Sequence, residues 1–254
     1  MDKFQSEIKE SIRATHGHID LISQDMAYQD PDASIEYFSK RITGFTKLIG
    51  IHMHRSERFL TMLERMEDIR VGRLPQRLEE RYRKIDLKNY MEDFVEELDE
   101  IILVDPETPA HDHRSRLEIE IHEDIAIRAS ALYLTRILHD ILGNAIMYSM
   151  VATPIKIAMT VKGKNAQIDI VDEGYGVRDS ERERVLQPFS RARQPQIIAE
   201  FGYGLSLYLG KYEVEAMNGR MWYESNEGVG STFSLMLPLW TDQSVSSSSQ
   251  TSTA

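Results

Sequence analysis

QIDIVDEGYGV, residues 167–177, alternates apolar and polar side chains as far as Asp172 and then turns through two glycines. The alternation predicts a strand over 166–172 that ends at a carboxylate. Gly174 and Gly176 just beyond it allow the backbone to come close to a planar ligand. Working outward, the "KGKN" turn and an alternating run over 154–161 place a partner strand upstream, with a helix over 131–149 before it. Further upstream lie a strand over 116–122 and a helix over 88–104. Downstream come a short helix over 179–186, a loop, a helix over 204–217 and strands over 219–224 and 231–238. This mixture predicts an α+β fold, an α/β sandwich with helices on one face of a mixed sheet.

The N-terminal third has another character. Met1, Phe4, Ile8, Ile12, Thr15, Ile19, Ile22 and Met26 alternate steps of three and four, one seam of a long helix. "QDPDAS" (29–34) supplies a turn with Ser34 as N-cap. Phe38, Ile42, Phe45, Ile49, His52, Phe59, Leu63 and Met66 then mark a second helix antiparallel to the first. Two narrow seams cannot both be buried within one hairpin, so a homodimer closed as a four-helix bundle is expected. Gly72 and Pro75 break the helical region, and a charged connector with "KIDL" (84–87) leads onward. The expected division is therefore a helical hairpin over 1–83, an α/β domain over 84–240 and a low-complexity, disordered tail over 241–254.

Composition excludes several classes. The 254 residues carry 41 acidic against 30 basic side chains, a net charge of -11, with no local basic patch, so nucleic acid is not an expected partner. No apolar run approaches a membrane helix, and "MDKFQSEIKE" lacks the apolar stretch of a secretion signal, which predicts a cytoplasmic protein without membrane contact. Cysteine is absent, so disulfides and thiolate metal sites are ruled out.

Three stretches carry candidate chemistry. The Asp172 carboxylate can accept the exocyclic amine of adenine. "FGYGLSL" (201–207) sets Gly202 and Gly204 at a helix start, where free N–H groups and the helix dipole favour phosphate, although a glycine pair of this kind is as often a plain turn. In "ILHDILGNAIMYS" (137–149), Asp140, Asn144 and Met147 or Tyr148 share a helix face, and the Asn144 amide oxygen is a hard ligand suited to Mg²⁺.

In this fixed order the motifs resemble the ATP-binding domain of sensor histidine kinases, within the superfamily shared with gyrase, MutL and chaperone ATPases. "LHDILGNAIMYS" is similar to the asparagine box, "DEGYGV" to the first glycine box and "VLQPFSRA" (185–192) to the phenylalanine box. Gly219 through Ser225 and Gly228 through Phe233 are similar to the strands that follow the second glycine box in the kinases. The resemblance implies ATP and Mg²⁺ as ligands. Asn144 would hold the metal, Asp172 the adenine, and Gly174 and Gly176 would shape the adenine pocket. Tyr148 would line the nucleotide, Gly202, Gly204 and Leu205 would meet the phosphates, and residues 190–201 would form a flexible lid. Where many family members carry lysine this chain has Met147, and Arg191, Arg193 or Lys211 is the expected substitute cation. Ser206 stands in place of a frequent glycine.

The hairpin resembles the dimerisation and phosphotransfer region, whose motif runs close to H-E-L-R-T-P-L-T-x-I-x-G-Y-x-E-L-L. "SEIKESIRATHGHIDLI" (6–22) aligns with it through Gly17, which sets Glu7 on the glutamate and Ser6 on the phosphate-accepting histidine. Ile8, Ile12, Thr15 and Ile19 then provide the core positions that follow the acceptor. An alignment with Glu10 as acceptor gives a poorer stripe. His16 and His18 are thereby expected on the bundle surface, His52 in a buried polar layer, and the "HDH" at 111–113 in an exposed loop. Glu7 matches the base of the acceptor reaction but has no histidine to act on.

Two functions fit these features. One is an ATP·Mg²⁺-binding kinase core of a two-component phosphorelay, paired with a response regulator or partner kinase, in which autophosphorylation is atypical or lost. The other is a dimeric, nucleotide-sensing pseudokinase that regulates a true kinase or response regulator. An ATPase of the DNA-repair or chaperone kind is disfavoured by the paired helices. The short run before Ser6 leads us to expect no upstream sensor within this chain.

Overall fold

The computed structural model describes residues 2–27, 35–100, 113–121, 124–150, 152–199 and 202–241. It divides into two compact units, one built on Met1–Glu64 and the other on Arg65–Ile102 with His111–Ala254. The "QDPDAS" turn with Ser34, the "HDH" loop before His113 and the tail from 242 lie outside the described residues.

The first unit is an antiparallel hairpin of α1 (Asp2–Ala27) and α2 (Ile35–Arg70), whose last turns belong to the second unit. Its internal contacts run in antiparallel order. Ser11 Oγ donates to the His52 carbonyl at 2.9 Å, the His18 ring stacks 5.6 Å from His52 and 6.0 Å from Phe45, and Asp25 accepts from Arg41 at 2.7 and 3.0 Å. The expected α1 seam is split. Thr15 and Ile22 turn inward beside Ser11, His18 and Asp25, whereas Ile12, Ile19 and Met26, each seven residues from the next, stay 50%, 46% and 62% exposed. Met53 and Leu60, also seven apart, are 52% exposed on α2. A helix packed against one neighbour buries one stripe, and the second stripe remains open. His16 lies on the surface as expected, but His18 does not: it is half-buried between Phe45 and His52 because it falls on the inward row. Burial, with the nearby Arg55 and His18, lowers the His52 pKa below the ordinary imidazole value, as suits a polar layer.

In the second unit, Gly72 takes φ +73 and closes α2. Pro75 starts a helix, α3 (Leu74–Glu79), since a first-turn proline lacks only an N–H that has no intrahelical partner there. The expected connector is itself a strand, β1 (Arg83–Asp86), and Asp86 caps α4 (Leu87–Glu96) by accepting from Asn89 N at 3.1 Å. A 3₁₀ turn over Glu97–Glu100 follows α4, and residues 101–104 of the expected helix lie outside the described residues. After β2 (Leu117–Ile121), β3 (Ala126–Ala129) pairs antiparallel with β1, so residues some forty apart complete a small two-stranded sheet that period alone does not reveal.

The main sheet follows α5 (Ala131–Met147) and contains β2, β4 (Ile155–Lys162), β5 (Asn165–Asp172), β6 (Arg220–Asn226) and β7 (Gly230–Pro238). Its order is β2-β4-β5-β7-β6, with β2 and β4 parallel and the other pairs antiparallel. Ala166, Ile168 and Ile170 of β5 and Ile155, Ile157 and Met159 of β4 form a core with Leu134, Ile137, Leu138, Ile141 and Leu142 of α5. Between β5 and β6 lie two 3₁₀ turns in place of the helix expected over 179–186, then α6 (Pro195–Ala199) and α7 (Ser206–Ala216).

Candidate nucleotide site

The alternation that buries Ala166, Ile168 and Ile170 continues to Asp172, so the last residue of β5 points to the helix-covered side of the sheet. The carboxylate is 5% exposed and accepts from Gly174 N at 2.9 Å. Burial pushes its pKa up to about 6, against the opposing pull of the Gly174 and Ser231 amides and the Arg116 charge. A buried acceptor with little compensation is what a hydrogen-bonding ligand can satisfy.

The glycines are required by contacts of the loop. Tyr175 N donates to the Tyr148 carbonyl at 2.9 Å, and Gly174 forms a bridge with Ser149, which ties the loop to the end of α5. A Cβ at Gly174 would lie 2.3 Å from the Tyr148 oxygen. Gly176 has φ +59, and a Cβ there would lie 1.9 Å from the Asn226 oxygen. Arg116 supports the same corner from β2's side, donating to Ser149 Oγ at 2.5 Å and to the Thr153 carbonyl at 2.9 Å. Ser225 Oγ accepts from Val177 N at 2.8 Å, so a serine of the kinase-like β6 pattern holds the far side of the glycine loop.

The end expected to meet phosphate comes from the other elements. Asn144 lies half-buried in the last turn of α5, and its carbonyl accepts from Tyr148 N at 2.9 Å. Tyr148 Oη accepts from Arg191 Nη2 at 3.3 Å, and Arg191 Nη2 also donates to the Ile197 carbonyl. Gly202 faces this pair, since a Cβ there would stand 3.5 Å from both Arg191 Nε and Tyr148 Oη. Gly204 has φ +68 against the Ser190 backbone, and Leu205, fully buried, sets the first turn of α7 by accepting from Leu209 N at 2.9 Å. Arg191, Tyr148 and Gly202 thus meet at one place. Arg193 is exposed and Lys211 pairs with Glu215 at 4.0 Å, so of the three expected cations Arg191 is the one in this cluster. Among the described residues there is no group of three or more His, Asp or Glu that could hold a metal, so a cation at Asn144 would need phosphate oxygens and water to complete its coordination. Ser6 and Glu7 lie on the α1 helix of the first unit.

Two groups of buried polar residues around the site carry no local sequence signal. Gln194, 2% exposed, accepts from Arg178 N and donates to the Gly176 carbonyl, both at 3.2 Å. With Ala192 and Ile197 also buried, the stretch expected to be a flexible lid is anchored to the first glycine loop. The other is Arg65. Its Nη1 donates to Asp140 Oδ2 at 2.8 Å, while Nε and Nη2 donate to Glu213 Oε1 and Oε2 at 2.8 and 2.7 Å. Burial opposes the Arg65 charge, but the two carboxylates outweigh it and raise its pKa.

The family described as "Histidine kinase-, DNA gyrase B-, and HSP90-like ATPase" matches residues 129–241, the segment that contains every cluster just described except Arg65, Arg116 and the hairpin. The Sensor-like histidine kinase SenX3 of Mycolicibacterium smegmatis is 34% identical over 103 residues, which is 41% of this chain and 27% of that protein. This chain spans well under half the length of the curated relatives it matches. In fold it is similar to the Acinetobacter baumannii histidine kinase AdeS, with TM-score 0.60 and 17% identity over 92% of this chain and 98% of that one. It is also similar to full-length ShkA in complex with AMPPNP, with TM-score 0.54 and 18% identity over 93% of this chain and 46% of that one. Residues 129–241 are thus similar to the histidine kinase-, DNA gyrase B- and HSP90-like ATPases, and the relative SenX3 and the structural neighbour AdeS named above are histidine kinases.

Proposed function

We propose that the chain binds ATP and Mg²⁺ as the core of a homodimeric, cytoplasmic two-component signalling protein whose autophosphorylation is atypical or lost. The division in function follows residues 1–83 as the dimerisation and phosphotransfer-like hairpin and 84–240 as the nucleotide-binding part. The observation that carries the nucleotide reading is the line of groups from the buried Asp172 carboxylate, past the Gly174 and Gly176 loop and Tyr148, to Arg191, Gly202 and the start of α7. In this reading Asp172 receives the adenine amine, Asn144 meets the metal, and Arg191, Gly202, Gly204 and the N–H groups at Leu205 face the phosphates. The open stripe of Ile12, Ile19, Met26, Met53 and Leu60 supports the homodimer. Ser6 at the acceptor position, with Glu7 beside it, supports altered phosphoryl chemistry. No helix of the described residues is long and apolar enough to cross a membrane. A response regulator or partner kinase would be the recipient of the signal.

The second reading, a nucleotide-sensing pseudokinase that regulates such a partner, is favoured by Met147, which leaves no lysine at the phosphate-facing end of α5. Incubation with γ-labelled ATP and Mg²⁺, followed by acid, separates the two. Acid-stable label points to a hydroxyl such as Ser6. Acid-labile label shows that a histidine accepts and overturns the Ser6 assignment. No label, with ATP binding confirmed in the same sample, leaves the pseudokinase.

A further inference from the structure

Arg65, Asp140 and Glu213 form a buried charged triad beside the nucleotide site. Its three side chains are 6%, 5% and 1% exposed, so two carboxylates and the guanidinium they share are buried together in the core. Burial of such a group rarely adds stability, because desolvation offsets most of the Coulomb attraction. Its geometry, however, is specific. The guanidinium is planar and offers its donors in a fixed fork. One edge holds both oxygens of Glu213 and the other holds Asp140, so α5 and α7 are set at one separation and one rotation relative to each other.

Those two helices supply opposite sides of the phosphate end of the site. Asp140 is one helical turn before Asn144 on α5, and Glu213 is on α7, whose first turn follows Gly204 and Leu205. The adenine end is held by different contacts, namely Asp172 with Gly174 N, Tyr175 N with the Tyr148 carbonyl, and Ser225 with Val177 N.

We propose that Arg65 is a positioning residue for the metal–triphosphate half of the nucleotide, which it serves by fixing Asn144 against the Gly202–Leu205 turn without touching the ligand. The inference rests on the nucleotide site proposed above. Arg65 achieves this through rigidity: a lysine there makes one point contact in place of the fork, and an apolar triad packs without fixing the rotation of either helix.

The test compares the full-length wild type with Arg65→Lys and with the triple variant Arg65→Met, Asp140→Leu, Glu213→Met. The triple variant removes the buried charges together and so keeps a packed core, whereas Arg65→Met alone strands two carboxylates and is at risk of not folding. Calorimetric titration with adenosine and with ATP·Mg²⁺ reads the two halves separately. The expected result is an adenosine affinity within about twofold of wild type in both variants, and an ATP·Mg²⁺ affinity weakened about tenfold or more in the triple variant, with Arg65→Lys intermediate. Equal ATP·Mg²⁺ affinity in wild type and folded triple variant overturns the proposal, as does an equal loss for both ligands, which marks a general structural role. If the wild type itself binds neither ligand, it is the nucleotide reading that fails.

Discussion

Replacement of Asp172 by asparagine separates what this residue costs the fold from what it does for a ligand. The native carboxylate is pushed up to about 6 from an ordinary 3.8, chiefly by burial, so at neutral pH the folded protein keeps it ionised against a penalty. About two pKa units at 1.36 kcal/mol each amount to roughly 3 kcal/mol. Asparagine has nearly the same shape, and its oxygen can keep the Gly174 N–H. The amide group still needs an acceptor, which reduces the gain to about 1–2 kcal/mol, and a melting temperature higher by several degrees is expected for Asp172→Asn without nucleotide.

The sign with pH follows from linkage. A carboxylate whose native pKa is raised takes up its proton in the folded state before the unfolded chain does, so the wild type gains stability as pH falls from about 7 toward 4. The advantage of Asp172→Asn should therefore shrink over that window and vanish near its lower end. Loss of a charged acceptor for the adenine amine should meanwhile weaken ATP binding about 10- to 100-fold at pH 7.5. Thermal unfolding at pH 7.5 and 5, with and without ATP, measures both effects. A variant no more stable than wild type at pH 7.5, or equally advantaged at both pH values, refutes the buried-charge reasoning. Unchanged ATP affinity refutes the adenine role.

Restoring histidine at Ser6 together with lysine at Met147 should create or raise acid-labile autophosphorylation, read with γ-labelled ATP; no gain at full nucleotide occupancy would show that more than those two groups was lost. Ile12→Glu with Ile19→Glu places two charges on the open α1 stripe and should convert a dimer to a monomer in sedimentation while ATP affinity is retained. A dimer that survives both charges would place the interface elsewhere.

The sequence determined the parts of this protein that depend on near neighbours. Alternation over 167–172 sufficed for β5 and for Asp172 at its end, and steps of three and four over 1–26 sufficed for α1, because strand and helix periods are local geometry. Glycine spacing marked Gly174, Gly176 and Gly204, whose need for an absent Cβ or a positive φ is a property of the turn itself. Tertiary structure decided the rest. Which half of the α1 seam stays open depends on the face that α2 occupies, so spacing does not tell Ile12 and Ile19 from Thr15 and Ile22, nor that His18 lies on the inward row. The β1–β3 pair, the Gln194 anchor and the Arg65 fork join residues far apart in the chain, 148 positions for Arg65 and Glu213, and no window of sequence contains both partners. The Asp172 pKa belongs with them: its carboxylate is written in the sequence, but the burial that raises it exists only once the sheet is covered, and the opposing Arg116 charge arrives from β2's side.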